Sequence, residues 1–354
     1  MKRISPVAML AAALLLPCLP VPRVFAGRAA IPNRTRAPYL GAIVVNAGTG
    51  ETVFEENADA ECYPASIVKL MDLLILQEKI DRKELGLNDP VRATAEACRI
   101  GGSQVYLAEH ESFPVEELLY ALMVKSANDA AVALALQTAG STGGFVQMMQ
   151  QKADALGMKS TRFHTVHGLP PDKGQEPDVS TPRDLTLLAR ELLKHPAILK
   201  YTSTQSRGFR DGKFGMANHN TLLGTFNGCD GLKTGYFRLG GYSLVATAER
   251  GGNRFIAVVA GSKEKKVRDA KAKELLSRAF AKVTPKPAPT ATPAPAVTPA
   301  PSAAPSPASG KSPGRGKKLL LLAVAVALGW GVYRFVKTQI RGPKPPQEMF
   351  GGKQ

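Results

Sequence analysis

The chain has 354 residues, 44% of them hydrophobic, with a formal net charge of +17 and a pI near 9.8. That length holds one or two domains with sizeable cores. The charge gathers at the ends, with +9 on residues 284–354, +3 on residues 1–26 and +5 left for residues 27–283; the middle shows no basic stripe with interleaved aromatics, which excludes a nucleic-acid partner, and no His/Cys spacing matches a metal site, so no metal and no cofactor is expected.

Lys2 and Arg3 precede an apolar run from Val7 to Leu19, and Val24-Phe25-Ala26 offers small residues for cleavage before Gly27. Residues 1–26 therefore read as a secretory signal peptide. Shortness, Pro17 and Pro20 count against a membrane span, and a proline just before Cys18 counts against a lipoprotein site. Leu40–Asn46 and Glu51–Glu55 flank Ala47-Gly48-Thr49-Gly50, a hairpin pattern. Next comes Pro64-Ala65-Ser66-Ile67-Val68-Lys69 at the head of an apolar helical run, Ile67–Ile80. A spacing of three puts Ser66 and Lys69 on one helix face, one turn apart. A serine hydroxyl is a poor nucleophile until a base takes its proton. Lysine serves as that base only when neutral, and burial and the positive end of a helix both push it that way. Taken alone, Ser-x-x-Lys also arises by chance on solvated helices, as a helix N-cap and a surface lysine.

Gly101-Gly102-Ser103 marks a loop, and Pro114 opens a helix over Val115–Lys125 that stops at Ser126-Ala127-Asn128. Asp129 is expected to cap the next helix, Ala130–Thr138. Phe145–Leu156 is amphipathic and ends at Gly157. Thr181-Pro182 starts another helix, Arg183–Leu193, with proline at the favoured first position. Gln205–Phe209 and Lys213–His219 pair across Asp211-Gly212. Lys233-Thr234-Gly235 follows Gly228-Cys229-Asp230-Gly231-Leu232 and leads into strand-like sequence. Tyr242–Ala248 and Phe255–Ala260 pair across Gly251-Gly252, and a last helix, Lys265–Phe280, closes the domain. Strands at both ends with helices between imply an α/β (mixed α+β) fold, a mostly antiparallel sheet with helices packed on it. Cys62, Cys98 and Cys229 are an odd set. A Cys62–Cys229 bridge and three small buried thiols are both open readings.

Residues 284–318 are rich in Pro, Ala, Thr and Ser and have too little to bury, so they read as an extended, disordered linker. Residues 319–336 are apolar nearly all round. They are short for a span of about 20 residues. Snorkelling by Lys318 and Arg334 extends the run, and Trp330 and Tyr333 suit the headgroup level. A helix after such a linker has no core to join, so a single transmembrane helix is expected, with residues 337–354 a short basic cytoplasmic tail and the middle of the chain on the extracytoplasmic side.

Ser-x-x-Lys, a Ser-x-Asn motif and Lys-Thr-Gly, in this order, are the motif set of penicillin-binding proteins and class A β-lactamases. Here Ala127 replaces the aspartate of the middle motif. From Ala37 to about Phe280 the chain resembles the serine-type D-alanyl-D-alanine carboxypeptidases, the low-molecular-mass penicillin-binding proteins. Gly102-Ser103, Thr165-Val166-His167-Gly168-Leu169, Asn218-His219-Asn220 with Leu222-Leu223, and Asp230-Gly231 extend the likeness. It implies a β-lactamase/transpeptidase-like catalytic domain over residues 37–283, with a five-stranded sheet. It makes Ser66 the acyl-accepting nucleophile and Lys69 its base. Ser126 would relay a proton to the leaving amine, and Asn128 would hold the substrate amide. Lys233 would meet the terminal carboxylate with Thr234 donating a hydrogen bond, Gly235 would let the acyl chain approach the strand, and the Ser66 and Tyr236 N–H groups would form the oxyanion hole. Arg268 falls where the family has an arginine near the site, and a surface helix arginine is the equal alternative. His167 and His219 are read as structural. The implied reaction removes the terminal D-alanine from peptidoglycan pentapeptides, with β-lactams as acylating inhibitors. Competing readings are a DD-endopeptidase, a β-lactamase and a non-catalytic wall-binding protein. Against the β-lactamase, Glu176-Pro177-Asp178-Val179-Ser180 does not match the Glu-x-x-Leu-Asn loop of class A enzymes. Many relatives add a β-rich second domain; only Ala281–Thr284 precedes the linker here, so that domain is expected to be absent.

Overall fold

In the computed structural model, residues 38–283 are described. The signal peptide, linker, transmembrane run, tail and expected absence of a second domain all fall outside them. Among the described residues no helix is long and apolar enough to cross a membrane.

In chain order the elements are β1 (Gly41–Asn46), β2 (Thr52–Glu56), α1 (Lys69–Asp81), β3 (Pro90–Arg92), α2 (Ala95–Arg99), β4 (Ser112–Pro114), α3 (Val115–Tyr120), α4 (Asn128–Ala139), α5 (Thr142–Ala155), α6 (Pro182–Leu192), α7 (Leu199–Thr202), β5 (Ser206–Phe209), β6 (Phe214–Ala217), β7 (Cys229–Phe237), β8 (Gly241–Arg250), β9 (Asn253–Ser262) and α8 (Lys265–Ala281). The main sheet has five strands in the order β2-β1-β9-β8-β7, every neighbouring pair antiparallel. The three hairpins expected from Gly48-Thr49-Gly50, Asp211-Gly212 and Gly251-Gly252 all form.

The sheet is buried on both faces, and the period-two alternation of its strands shows it. Ile43, Val45, Val245, Ile256 and Val258 join the large core beneath α1, α4, α5 and α6. Their neighbours Ala42, Val44, Leu244, Ala246, Ala257 and Val259 pack on the other face against Ala272, Leu275, Leu276 and Ala279 of α8. Strand β7 is left as an edge, with one side free to face a ligand.

Local chemistry explains two of the long-helix starts. Thr181 caps α6 by accepting from the Asp184 N–H, with Pro182 in the first turn. Ser141 caps α5 through the Gly144 N–H. The expectation for Asp129 is corrected: α4 starts at Asn128 after Ala127, with no side-chain cap. The Asp129 carboxylate instead accepts from the N–H groups of Val105, Leu107 and its neighbour Ala130. A carboxylate aimed at a distant loop satisfies three buried donors at once, which outweighs a single capping bond. Short β3, β4, α2 and α7 lacked a legible sequence signal, since each is too brief to show a period.

Candidate active site

Ser66 lies in a tight 3₁₀ turn, Ala65–Val68, that runs straight into α1. Ala65 has φ +50°, a conformation that costs a residue with a Cβ about 1–3 kcal/mol and persists only when its surroundings enforce it. Two glycines do so. A Cβ on Gly168 would fall 2.2 Å from the Ala65 carbonyl oxygen, and one on Gly235 would fall 2.2 Å from that of Pro64. The 165–169 loop and strand β7 thus clamp the turn from two sides. The close approach that Gly235 permits is therefore to the protein's own Pro64, a requirement prior to any substrate.

Lys69 opens α1 and is wholly buried. Its Nζ is 3.1 Å from Ser66 Oγ, and donates to Asn128 Oδ1 at 2.8 Å and to the His167 carbonyl at 2.6 Å. Burial pulls the ammonium down to about 8, against the upward pull of Asp72, Asp178 and Asp129. The two outer partners are acceptors only. A neutral amine spends both its N–H bonds on them, which leaves its lone pair aimed at the Ser66 hydroxyl.

The helix expected over 115–125 is α as far as Tyr120 and a π turn over Ala121–Lys125, ending at Ser126 with φ +61°. Such turns break helix register and re-aim the residues that follow. Here they deliver Ser126 to the cavity and Asn128 to Lys69. Asn128 is held at both ends: its Nδ2 donates to the Gly101 carbonyl and its backbone N–H to that of Ser103. One end of the amide expected to hold substrate is thus already committed to orienting Lys69. The Ser126 hydroxyl lines the cavity and makes no hydrogen bond to Lys69.

The cavity, about 300 Å³, lies between these residues and β7. Thr234, Gly235 and Tyr236 line it, and Tyr236 stacks on Tyr242 with ring centroids 4.1 Å apart. Lys233 is buried, and its Nζ donates to the Thr234 carbonyl. Burial, then the charges of Lys69 and Arg268, hold its ammonium well below the ordinary range. Arg268 is 2% exposed and lines the cavity, so the surface-arginine alternative is set aside. Asp269 steadies it, accepting from its Nε at 2.8 Å. His219 and Lys265 complete the rim. Lys69, Lys233 and Arg268 are all buried here, and of the three only Arg268 is paired with a carboxylate, that of Asp269; basic side chains so short of counter-charge suit an anionic ligand.

His167 is structural, as expected. Burial and nearby Lys69 take its imidazole down to about 4, and Nδ1 accepts from the Leu169 N–H. Its backbone carbonyl, which no side-chain pattern reveals, is what holds Lys69. Cys62, Cys98 and Cys229 are free thiols, and burial pushes Cys62 up to about 12. Glu78, Glu191 and His195 approach one another elsewhere on the surface, but ion pairs to Lys152, Lys194 and Asp81 already engage them.

Residues 33–264 match the family model described as D-alanyl-D-alanine carboxypeptidase. The chain is 36% identical over 249 residues to D-alanyl-D-alanine carboxypeptidase DacF of Bacillus subtilis (strain 168), covering 70% of this chain and 63% of that relative. It is 34% identical over 253 residues to DacC of Escherichia coli (strain K12), covering 69% and 62%. These curated relatives are thus matched over less than two thirds of their length. Among solved structures, penicillin-binding protein D2 from Listeria monocytogenes in its ampicillin-bound form superposes with a TM-score of 0.63 at 33% identity, over 70% of this chain and 99% of that one.

Proposed function

The chain belongs to the D-alanyl-D-alanine carboxypeptidase family, and from that premise we propose that it is a serine DD-carboxypeptidase acting on peptidoglycan stem peptides through an acyl-enzyme on Ser66. The observation that carries this reading is the Ser66–Lys69 contact beside a pocket whose buried basic side chains, Lys233 and Arg268, have only Asp269 as a paired carboxylate. Lys69 as free amine accepts the Ser66 proton while Oγ attacks the penultimate carbonyl. Ser66 is the second residue of a helical segment, whose first N–H groups have no intrahelical acceptor. With the Tyr236 N–H it supplies the oxyanion hole. Lys233, Thr234 and Arg268 bind the terminal carboxylate. Ser126 passes the proton to the leaving D-alanine amine, and water then cleaves the ester with Lys69 as base again. The substrate-bound Ser126 geometry is where that relay forms, since catalytic hydrogen bonds tighten on binding.

β-Lactams present a carboxylate and a strained amide to the same groups, and the Listeria relative is described as ampicillin-bound. For this chain an acyl adduct on Ser66 is expected to persist: Glu176 is exposed and does not line the cavity. We place residues 1–26 as a signal peptide, 37–283 as the catalytic domain, 284–318 as a linker, 319–336 as a membrane anchor and 337–354 in the cytoplasm, with catalysis on the outer side. The decisive test measures D-alanine release from a pentapeptide and conversion of a cross-linked dimer to monomers, together with the intact mass after penicillin. Wild type should release D-alanine and carry one stable adduct, and Ser66→Ala neither. Rapid penicillin turnover without an adduct would favour a β-lactamase; cleavage of the dimer alone would favour an endopeptidase.

A further inference from the structure

Asp72 follows Lys69 by one turn of α1, so the two side chains share a helix face. It is 2% exposed, and neither carboxyl oxygen has a hydrogen-bond partner. The other two buried carboxyls that act on Lys69 are fully engaged. Asp178 accepts from the His164 and Thr165 N–H groups and the Thr165 hydroxyl. Asp129 accepts from three N–H groups. An ionised carboxylate with no donor is costly in a protein interior, so the cheaper state of Asp72 is the protonated acid.

We propose that Asp72 is a positioning residue that shares the proton of the catalytic amine: the Lys69–Asp72 pair holds one proton between them, and Lys69 is the free base when Asp72 is the acid. The inference rests on Ser66 and Lys69 acting as nucleophile and base. No hydrogen bond or ion pair joins the two groups, so the proton does not pass directly. Lys69 releases a proton to solvent, Asp72 takes one up, and the coupling is the field between them. The charge of the pair is zero in both arrangements, and the neutral–neutral one avoids two buried charges. When Asp72 ionises, its charge holds the proton on Lys69 and the base is lost.

Other groups facing the pair bias this exchange. Asp178, from the loop before α6, favours the protonated form of both. Asp129 of α4 favours protonated Lys69, while Lys233 of β7 and, if charged, His167 oppose it. Asp72 heads the causes that pull Lys69 upward, so its removal should leave the largest trace.

The test is the second-order rate of acylation by a fluorescent penicillin as a function of pH, for the full chain and for Asp72→Asn and Asp72→Thr. Two coupled groups give wild type an acidic limb broader than a single ionisation. Both variants should show a single-ionisation limb displaced about one unit to lower pH, so that one unit below the wild-type midpoint they acylate about fivefold faster. A purely structural Asp72 would instead lower the rate in parallel at every pH. An unmoved limb, a limb moved to higher pH, or a sharp one-proton limb in wild type would overturn the proposal; the last needs no variant to fold. Absence of acylation in wild type would overturn the assignment of the site itself, which separates the two failures.

Discussion

Lys69 has three partners, and only Ser66 can give it a proton. That asymmetry makes the residue-scale predictions directional. Acylation should rise with pH through about 8 as Lys69 becomes free base. Asn128→Ala removes one of the two acceptors that aim the lone pair; a hydrogen bond between neutral groups is worth about 0.5–1.5 kcal/mol, so acylation should slow roughly two- to tenfold. A charge-assisted bond is worth about 1.5–3 kcal/mol, so Lys233→Ala should impair free-acid peptides roughly ten- to hundredfold and C-terminally amidated peptides far less. Equal losses on both would show that Lys233 only shapes the pocket. Asp72 adds a stability signature. Its carboxyl sits well above the ordinary range when folded, so its contribution is present in full below the unfolded value of about 4 and is lost as pH rises. Asp72→Asn should therefore match wild type in Tm near pH 4 and exceed it increasingly toward pH 8. A constant Tm difference across that range would contradict a neutral buried Asp72.

At the scale of elements, the site is a set of clamps. The Ser66 turn is pinned by the 165–169 loop and by β7, and the approach of Gly168 leaves no room for a side chain. Gly168 also has φ +73°, so Gly168→Ala combines strain with collision. Acylation should fall more than a hundredfold while far-UV circular dichroism stays native; wild-type acylation would show that the turn shifts without consequence. The 101–107 loop depends on Asp129 in the same way. Removing a carboxylate that satisfies buried N–H groups costs about 1–3 kcal/mol. Asp129→Ala should lower the urea midpoint accordingly and loosen Ser103, whose hydroxyl donates to the Lys125 carbonyl beside Ser126.

At the scale of the molecule, a sheet buried on both faces gives β7 a rigid backing, and its free edge becomes one wall of the cavity. The proposed anchor makes a separate prediction. A chain ending after Val283 should be soluble, keep full activity on small peptides and lose activity on intact wall in cells. Retention of that shortened chain on membranes through alkaline carbonate washing would place the anchor elsewhere, most simply in an uncleaved N-terminus.

The spacing of Ser66 and Lys69, the order of the three motifs and the glycine-containing turns of the three hairpins are all local, and the sequence alone determined them. The helix start at Thr181-Pro182 was legible for the same reason, since the cap's partner lies three residues away. Tertiary structure alone decided what lies far apart in the chain. Asn128 and the His167 carbonyl reach Lys69 across 59 and 98 residues. Asp129 turned from a cap into a loop clamp because two of its three donors, the Val105 and Leu107 N–H groups, sit more than twenty residues upstream. Asp72 looks in the sequence like any polar residue of an apolar helix. Only packing, by removing water and supplying no donor, made it a buried acid beside the base. Burial and long-range hydrogen bonding depend on the whole fold, and they set the protonation state on which the chemistry turns.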